Sequence, residues 1–346
     1  MKIPIVFAFD DNYVLPASVA IMSLQATRGP STEYEVIVFH NGLRAETMRK
    51  FSRICPIRWM QVSGMDFESL PKSWTGEAGW FRCLIADLLP EYDRVIWSDG
   101  DVLFKNDLSG AYTQNIEGYD WLGVRMEQPN ERHGVHVHFY EKDGCPIYAS
   151  GFMVINARRW RENNFLDKCK RVIKQFGDRL TGDLDVLNLA ADSIGNVSFR
   201  YCVLSNFVES AKIENAKEYP WIERTHGRRA VLDAVRDPII VHYAGCGARL
   251  KPWERGPKTV PKDYWAFLSK SPFYEKRYFF PLCPAVVLWV FDAVRFLLSQ
   301  DPAQRSLLKR RTTHWENMVR NSRMSWAFSI IEAMHRIRLS FRRHSA

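Results

Sequence analysis

Two aspartates that directly follow a short apolar run are the side chains best suited to chemistry in this sequence. Asp99 and Asp101 stand two residues apart, and Gly100 between them allows another group to approach the backbone closely. Carboxylates suit hard cations such as Mg²⁺ and Mn²⁺, and an imidazole from His242 would favour Mn²⁺ over Ca²⁺ or structural Zn²⁺. Such a site could hold the two phosphates of a nucleotide sugar and neutralise the diphosphate as it leaves. The pattern leaves open a second interpretation, a solvated Asp-Gly-Asp turn.

Other polar side chains also stand near the ends of predicted strands. Asp10, Asp11 and Asn12 come after the first strand, His242 lies in a later one, and Lys251 follows that histidine at short range. Because ligands of open α/β sheets bind beyond the carboxyl ends of the strands, we expect these groups to meet at one edge. Each residue alone has a structural alternative, since acidic residues at strand ends also form turns and cap helices.

The elements that must position these residues alternate between short apolar runs and longer stretches with helical periodicity. The sequence predicts strands at Ile3–Phe9, Glu35–His40, Ile57–Val62, Arg94–Ser98, Trp121–Arg125, Gly151–Asn156 and Pro238–Tyr243. It predicts helices at Pro16–Thr27, Arg44–Ile54, Gly79–Leu89 and Ala157–Phe176. Strand, helix, strand repetition implies crossover connections, and therefore an α/β fold with a largely parallel central sheet.

The charge of the chain is concentrated at its end. The 346 residues are 46% hydrophobic and 25% charged, which is typical of a globular protein and excludes a disordered or collagen-like chain. Residues 301–346 carry ten Lys and Arg against three Asp and Glu, and so hold +7 of the total net charge of +9. Because the rest of the chain is nearly neutral, we expect no nucleic-acid partner.

The basic end of the chain also contains apolar residues at helical spacing. A segment that is both basic and apolar-aromatic is typical of helices that lie on anionic lipid, so residues 285–346 are predicted to bind an anionic membrane surface. The alternative is a pair of helices packed on the body with a solvated basic side. The longest apolar stretch, Ala285–Leu298, contains Asp292 and Arg295 and is shorter than the roughly 20 residues of a membrane-spanning helix.

The cysteines and the N-terminal residues bear on the compartment. Seven cysteines are scattered through the chain without a C-x-x-C pair, as is common for buried thiols in a reducing compartment. The apolar run Ile3–Phe9 is too short for the core of a signal peptide. We therefore expect a cytoplasmic protein that is peripheral on the inner face of the cytoplasmic membrane.

Five sequence blocks follow one another in order over residues 1–256. They are Val6-Phe-Ala-Phe-Asp-Asp-Asn-Tyr13, Trp97-Ser-Asp-Gly-Asp-Val-Leu103, Tyr148-Ala-Ser-Gly-Phe-Met-Val-Ile-Asn156, Gly182-Asp-Leu-Asp-Val-Leu-Asn188, and His242-Tyr-Ala-Gly245 with Lys251-Pro-Trp253. In this order they resemble glycosyltransferase family 8, the retaining enzymes that include bacterial lipopolysaccharide galactosyl- and glucosyltransferases and the glycogenins. The resemblance implies a GT-A type nucleotide-sugar-binding domain at 1–256, followed by an aromatic and basic extension at 257–346.

The resemblance also assigns roles to individual residues. It implies that uridine and ribose are bound by Ala8, Asp10 and Asn12, and that Mn²⁺ or Mg²⁺ is bound by Asp99, Asp101 and His242. It also implies that the diphosphate is contacted by Gly245 and Lys251, and that the reacting sugar is contacted by Arg82, Asp183 and Asp185. Asp99 and Gly100 of the acidic turn are counted with the cofactor-binding residues. In the family, the arginine at position 82 contacts both the donor sugar and a metal-binding aspartate.

The sequence departs from the family pattern at two positions. Ala149 stands where many members have an asparagine, and Leu184 where the family commonly has a glutamine near the reacting carbon. A leucine can neither accept a hydrogen bond nor act as a nucleophile. A front-face mechanism, in which the leaving phosphate helps to deprotonate the acceptor, therefore fits Leu184 better than a double displacement. Asp183 or Asp185 is the alternative nucleophile.

The sequence thus predicts a retaining transferase that moves glucose or galactose from UDP-glucose or UDP-galactose to a glycan acceptor. The acceptor is expected to be lipopolysaccharide core or another lipid-linked saccharide. Two alternatives remain at this point. The first is a phosphohydrolase with an aspartate nucleophile, because a strand followed by Asp-x-Asp also begins the sequences of that family. The second is a catalytically impaired, membrane-docked UDP-binding protein, because of Ala149 and Leu184.

Overall fold

A computed structural model of the chain describes residues 1–62, 77–127, 146–177, 180, 182–210, 212–216, 219–244, 251–255 and 260–274. The predicted membrane-binding segment 285–346, the predicted phosphate-binding Gly245 and the predicted domain boundary between residues 256 and 257 lie outside this range. Among the described residues, no helix is both long enough and apolar enough to span a membrane.

The described strands alternate with helices as the sequence predicts. The strands are β1 Lys2–Ala8, β2 Glu33–His40, β3 Ile57–Gln61, β4 Arg94–Ser98, β5 Val102–Phe104, β6 Trp121–Glu127, β7 Ile147–Asn156, β8 Ile194–Asn196, β9 Val203–Leu204 and β10 Ile240–His242. The helices are α1 Val14–Ala26, α2 Ala45–Phe51, α3 Ile85–Leu88, α4 Ser109–Tyr112, α5 Ala157–Glu162, α6 Phe165–Phe176, α7 Asp183–Ala190, α8 Ser205–Glu209, α9 Tyr219–His226, α10 Arg228–Arg236 and α11 Lys262–Leu268. Short 3₁₀-helices cover Glu77–Leu84, Phe199–Tyr201, Ile213–Asn215 and Pro252–Glu254.

The central sheet has seven strands in the order β3-β2-β1-β4-β7-β6-β8. The pairs β1–β2, β1–β4, β2–β3 and β6–β8 are parallel, whereas β7 runs antiparallel to both of its neighbours. Apart from their ends, β1 and β4 are buried, as is typical of strands that are covered on both faces. The prediction of a largely parallel central sheet is therefore confirmed.

A second sheet of three strands, β5-β10-β9, brings the end of β10 to the turn that contains Asp99 and Asp101. β10 pairs antiparallel with β5, so that His242 lies opposite Val102, and parallel with β9, so that His242 lies beside Leu204. This register fixes His242 next to Asp101, the residue that precedes β5. Neither β5 nor β9 was among the predicted strands, because each has only two or three residues.

Two of the predicted helices differ from the structure. The sequence predicts a single helix over Ala157–Phe176, but the structure has α5 and α6 with a break between them. Asn164 adopts a left-handed conformation with φ of 50°, which asparagine tolerates better than most residues, and this turn redirects the chain. The region predicted as a helix over Gly79–Leu89 is likewise mostly a 3₁₀-helix that passes into the short α3.

The described residues divide into two compact units. The first contains Met1–Ala244 together with Lys262–Tyr274, and the second includes the described residues 251–255, 260 and 261. Within the first unit, Tyr264 of α11 is fully buried and packs edge-on against Tyr243 with ring centroids 4.9 Å apart. Ser271 shares a 2.6 Å hydrogen bond with Ser18 of α1. The segment Lys262–Tyr274 is therefore part of the core that surrounds α1.

Candidate active site

Asp99, Asp101 and His242 come together where the two sheets meet. Asp99 follows β4, Asp101 precedes β5, and His242 closes β10. Nε2 of His242 lies 3.2 Å from Oδ1 of Asp101 and 3.6 Å from Oδ2 of Asp99. One ligand atom from each of the three residues lies within 4.8 Å of the others. The structure thus brings together the three predicted metal ligands.

Asp99 is held so that its two oxygens have different surroundings. Oδ1 accepts hydrogen bonds from Nη2 of Arg82 at 2.9 Å and from Nε1 of Trp97 at 3.1 Å. Oδ2 faces His242, and the Asp99 side chain is 25% exposed. Because Oδ1 is fixed by two donors, the carboxylate keeps its other oxygen directed at His242.

Arg82 joins Asp99 to a second carboxylate. Its Nε lies 3.1 Å from Oδ2 of Asp183, and its Nη1 donates a 2.7 Å hydrogen bond to the carbonyl of Ser150. The guanidinium also lies 4.4 Å from the ring centroid of Trp97. Burial opposes the charged form of Arg82, but the carboxylates of Asp183 and Asp99 raise its pKa, so the arginine stays charged. The buried guanidinium of Arg82 thus links the predicted metal site to the predicted sugar-binding residue Asp183.

Asp101 is positioned by two side chains that are far apart in the sequence. His242 contacts one of its oxygens, and the hydroxyl of Tyr13 also hydrogen-bonds to its carboxylate. Burial, together with the negative charge of Asp101, raises the pKa of Tyr13, so its hydroxyl stays protonated and donates. Burial disfavours the protonated, charged form of His242, but Asp101 raises the pKa of that imidazole. The role of Tyr13 was not predicted, although the residue stands in the first sequence block.

The predicted nucleotide-binding residues lie where β1 meets α1. Ala8 ends β1, and Oδ1 and Oδ2 of Asp10 accept hydrogen bonds from the backbone N–H and the side-chain amide of Asn12 at 2.9 and 3.1 Å. The neighbouring Asp11 turns away from this pair and bonds to Thr47 and Arg44 at α2. The structure thus separates an exposed Asp10–Asn12 pair from a structural Asp11.

One glycine leaves room for the site. A Cβ at Gly151 of β7 would lie 2.4 Å from Cε1 of His242, closer than real Cβ atoms come, and 3.1 Å from Oδ2 of Asp99, which is a tight contact. Nothing in the sequence is a chemical reason to single out Gly151. A Cβ at Gly100 would meet Tyr13 and Ala17 at 3.4 and 3.5 Å, which are ordinary contacts, so packing against α1 does not require a glycine there.

The remaining predicted residues occupy different places. Asp183 and Asp185 lie in the first turn of α7 and are both buried, while Leu184 between them is half-buried. Ala149 is buried in β7. Lys251 belongs to the second compact unit, where its backbone N–H donates to Glu254 and its ammonium lies 5.6 Å from the ring centroid of Trp253.

The donor set fits the metal that the sequence predicts. Two carboxylates and one imidazole suit Mn²⁺ or Mg²⁺, and three protein ligands leave coordination positions for a diphosphate. The room left by Gly151 lets the imidazole sit against the two carboxylates, as a shared cation requires. Buried Arg82 adds a fixed positive charge beside this cluster.

Comparisons with known protein families and curated proteins identify a family for this chain. The model of the family described as "Glycosyl transferase family 8" matches residues 4–256. General stress protein A of Bacillus subtilis (strain 168) is 24% identical over 285 residues, covering 77% of this chain and 92% of that protein. Glycosyltransferase GlyB of Streptococcus pneumoniae serotype 4 is 22% identical over 273 residues, covering 77% of this chain and 61% of that protein.

Solved structures share the fold. A crystal structure of the galactosyltransferase LgtC in complex with donor and acceptor sugar analogs has a TM-score of 0.64 at 20% identity, covering 80% of this chain and 99% of LgtC. The bifunctional glycosyltransferase WbbM, in its apo form, has a TM-score of 0.58 at 19% identity, covering 80% of this chain and 50% of WbbM. The likeness to LgtC confirms the predicted GT-A fold.

Proposed function

Since the chain belongs to glycosyl transferase family 8, we propose that it is a metal-dependent retaining hexosyltransferase that uses UDP-glucose or UDP-galactose. The single observation that carries this proposal is the cluster of Asp99, Asp101 and His242, with charged Arg82 fixed beside it. A UDP-sugar needs such a site because its leaving group is a diphosphate. A bound Mn²⁺ or Mg²⁺ supplies charge neutralisation for that leaving group.

The protein's own side chains have separate tasks in this proposal. Asp10 and Asn12 bind the uridine end, while the carboxylates of Asp99 and Asp101 bind the cation with His242. Gly245 and Lys251 contact the diphosphate; this assignment rests on the family resemblance alone.

The hexose is bound between Arg82 and the start of α7. Arg82 holds Asp183 in one orientation, so that the carboxylate can accept hydrogen bonds from sugar hydroxyls. Because its pKa is raised, Arg82 also supplies a fixed positive charge beside the leaving group without giving up a proton.

The first turn of α7 indicates which group attacks the hexose. Leu184 offers no nucleophilic atom, and Asp183 is paired with the Arg82 guanidinium, which makes its carboxylate a weaker nucleophile. We therefore favour attack by the acceptor on the face from which the diphosphate departs, with a phosphate oxygen taking the acceptor proton. Asp185, which is also buried, is the alternative nucleophile.

We also propose that the acceptor is lipid-linked, with lipopolysaccharide core as the first candidate. The net charge of +7 on residues 301–346 supports docking to an anionic membrane surface, where such an acceptor is found. The corresponding location is the inner face of the cytoplasmic membrane.

A donor and acceptor screen tests this proposal. Purified full-length protein is incubated with UDP-glucose or UDP-galactose, with Mn²⁺ or with EDTA, and with membrane lipids as acceptor. We expect release of UDP and transfer of one hexose in the α configuration, which NMR of the product identifies. Tight UDP binding without transfer to any lipid acceptor would support the catalytically impaired alternative that Leu184 raises, and hydrolysis of p-nitrophenyl phosphate would support the phosphohydrolase.

A further inference from the structure

Cys202 lies directly behind the imidazole of His242. Its Sγ is 3.6 Å from Nδ1 of His242, on the side of the ring opposite to the two carboxylates. Cys202 and His242 are 1% and 6% exposed, so water has little access to this contact. Cys202 is therefore a buried polar partner of the histidine nitrogen that does not face the metal position.

The backbone around Cys202 fixes this contact. Cys202 ends the 3₁₀-helix Phe199–Tyr201, and its N–H donates a 3.0 Å hydrogen bond to the carbonyl of Phe199. The next residues form β9, which pairs in parallel register with β10 and places Leu204 beside His242. Gly151 packs against the Cε1–Nδ1 edge of the same ring, where a Cβ would lie 2.4 Å from Cε1 and 2.8 Å from Nδ1. Gly151 and Cys202 thus both restrict the position of the imidazole.

The chemistry of imidazole gives this contact a consequence for metal binding. A neutral histidine that binds a cation through Nε2 must carry its proton on Nδ1, and that proton needs an acceptor when it is buried. A thiol can accept a hydrogen bond and can also donate one. Cys202 can therefore accept from Nδ1–H when Nε2 binds a cation, and donate to Nδ1 when Nε2–H instead faces Asp101.

We propose that Cys202 is a positioning residue that holds His242 in the tautomer and orientation needed for metal binding. This inference rests on the proposed metal-binding role of Asp99, Asp101 and His242. Carboxylate, carbonyl and water partners behind a metal-binding histidine typically contribute about 10- to 100-fold to metal affinity, and a thiol, which is a weaker acceptor, is expected at the lower end of that range.

Affinity measurements on the full-length protein test the proposal. Mn²⁺ binding is measured in the presence of UDP by loss of the free-ion EPR signal, for wild type, Cys202→Ser, Cys202→Ala and the control Cys169→Ala. We expect Cys202→Ala to weaken Mn²⁺ binding by about tenfold or more. Cys202→Ser should lose less, since a hydroxyl also accepts and donates, and Cys169→Ala should not weaken binding because Cys169 is equally buried in α6, outside the metal cluster.

A spectroscopic readout separates positioning from simple packing. The ¹⁵N chemical shifts of His242, assigned by comparison with His242→Gln, report its tautomer in wild type with UDP and diamagnetic Mg²⁺. We expect the proton on Nδ1 in wild type and in Cys202→Ser. A proton on Nε2 in the wild-type complex would overturn the proposal, even if Cys202→Ala fails to fold.

The outcomes also distinguish this proposal from the function on which it rests. If Asp101→Asn weakens Mn²⁺ binding but Cys202→Ala does not, the metal site stands and the role of Cys202 is wrong. If wild type does not bind Mn²⁺ with UDP, the proposed metal site is wrong, and the role of Cys202 is wrong with it.

Discussion

Arg82 and Asp183 form a buried ion pair, with Nε of the arginine 3.1 Å from Oδ2 of the aspartate and both side chains 5% exposed. The pair joins the 3₁₀-helix before α3 to the first turn of α7. A buried charge needs its partner, because water cannot take the partner's place. The orientation of Asp183 in the candidate active site therefore depends on a residue about 100 positions away in the sequence.

Replacing Arg82 should destabilise the fold and not only reduce activity. We expect Arg82→Met to lower the free energy of unfolding by about 3–5 kcal/mol, because it leaves the buried carboxylate of Asp183 without its cation. The double variant Arg82→Met, Asp183→Asn should lose less. Urea denaturation measures both, with Arg229→Met as a control, because Arg229 is 98% exposed. An unfolding free energy of Arg82→Met equal to that of wild type would contradict the buried-pair interpretation.

Gly151→Ala should damage the proposed metal site. The added Cβ would meet the His242 ring at 2.4 Å, so the imidazole must move or the strand must shift. We expect weaker Mn²⁺ binding and a loss of about 1–3 kcal/mol of unfolding free energy from overpacking. EPR titration and thermal unfolding measure these effects. Gly29→Ala is the matched control, since its Cβ would have no neighbour closer than 3.5 Å, and unchanged Mn²⁺ binding by Gly151→Ala would show that the site tolerates the methyl group.

Asp107 should contribute to stability in a pH-dependent way. Burial favours its neutral form, but hydrogen bonds from Gly29, Ser109 and Tyr34 lower its pKa from 3.8 to about 2. Because the native pKa is the lower one, the contribution is fully present above pH 3.8 and is lost as the pH falls toward 2.

The variant Asp107→Asn tests this contribution. We expect a loss of about 1–3 kcal/mol at pH 7, because the hydrogen bonds lose their charged acceptor. The difference from wild type should shrink as the pH falls below 4. Thermal unfolding between pH 7 and pH 2.5 measures it, with Asp93→Asn as a control, since that carboxylate is 71% exposed. A difference that is constant over this pH range would show that the charge of Asp107 is not responsible.

The basic end of the chain should attach the protein to membranes. Removing residues 301–346 takes away +7 of net charge, and each basic side chain near an anionic surface contributes about 1 kcal/mol. We expect the shortened chain to leave anionic liposomes while it still binds UDP. Co-sedimentation with phosphatidylserine and phosphatidylcholine vesicles measures this, the latter serving as the uncharged control. Continued binding to anionic vesicles would mean that another surface of the protein binds the membrane.

The fold and the convergence of Asp99, Asp101 and His242 could largely be predicted from the sequence. Apolar runs predict the long strands, and polar residues near strand ends predict Asp99, Asp101 and His242, because strand ends converge at the edge of a sheet. The resemblance to family 8 adds Arg82 and Asp183 to that set, but not the contact between them.

Other features could not be predicted, because they depend on packing between distant elements. Cys202 looks like any buried thiol in the sequence, and only the pairing of β9 with β10 brings it behind His242. Gly151 and Tyr13 likewise gain their roles from the approach of other elements. The break at Asn164 was missed since helical periodicity continues across it.

The most direct test of the central claim is metal-dependent release of UDP by the full-length protein. UDP release from UDP-glucose and UDP-galactose is measured with Mn²⁺ and with EDTA, for wild type, Asp101→Asn and the surface control Asp233→Asn. If Asp99, Asp101 and His242 form the metal site of a UDP-sugar transferase, wild type and Asp233→Asn release UDP only with Mn²⁺, and Asp101→Asn loses that activity. Undiminished Mn²⁺-stimulated release by Asp101→Asn would contradict the metal site, and no release from either donor by wild type would contradict the proposed function.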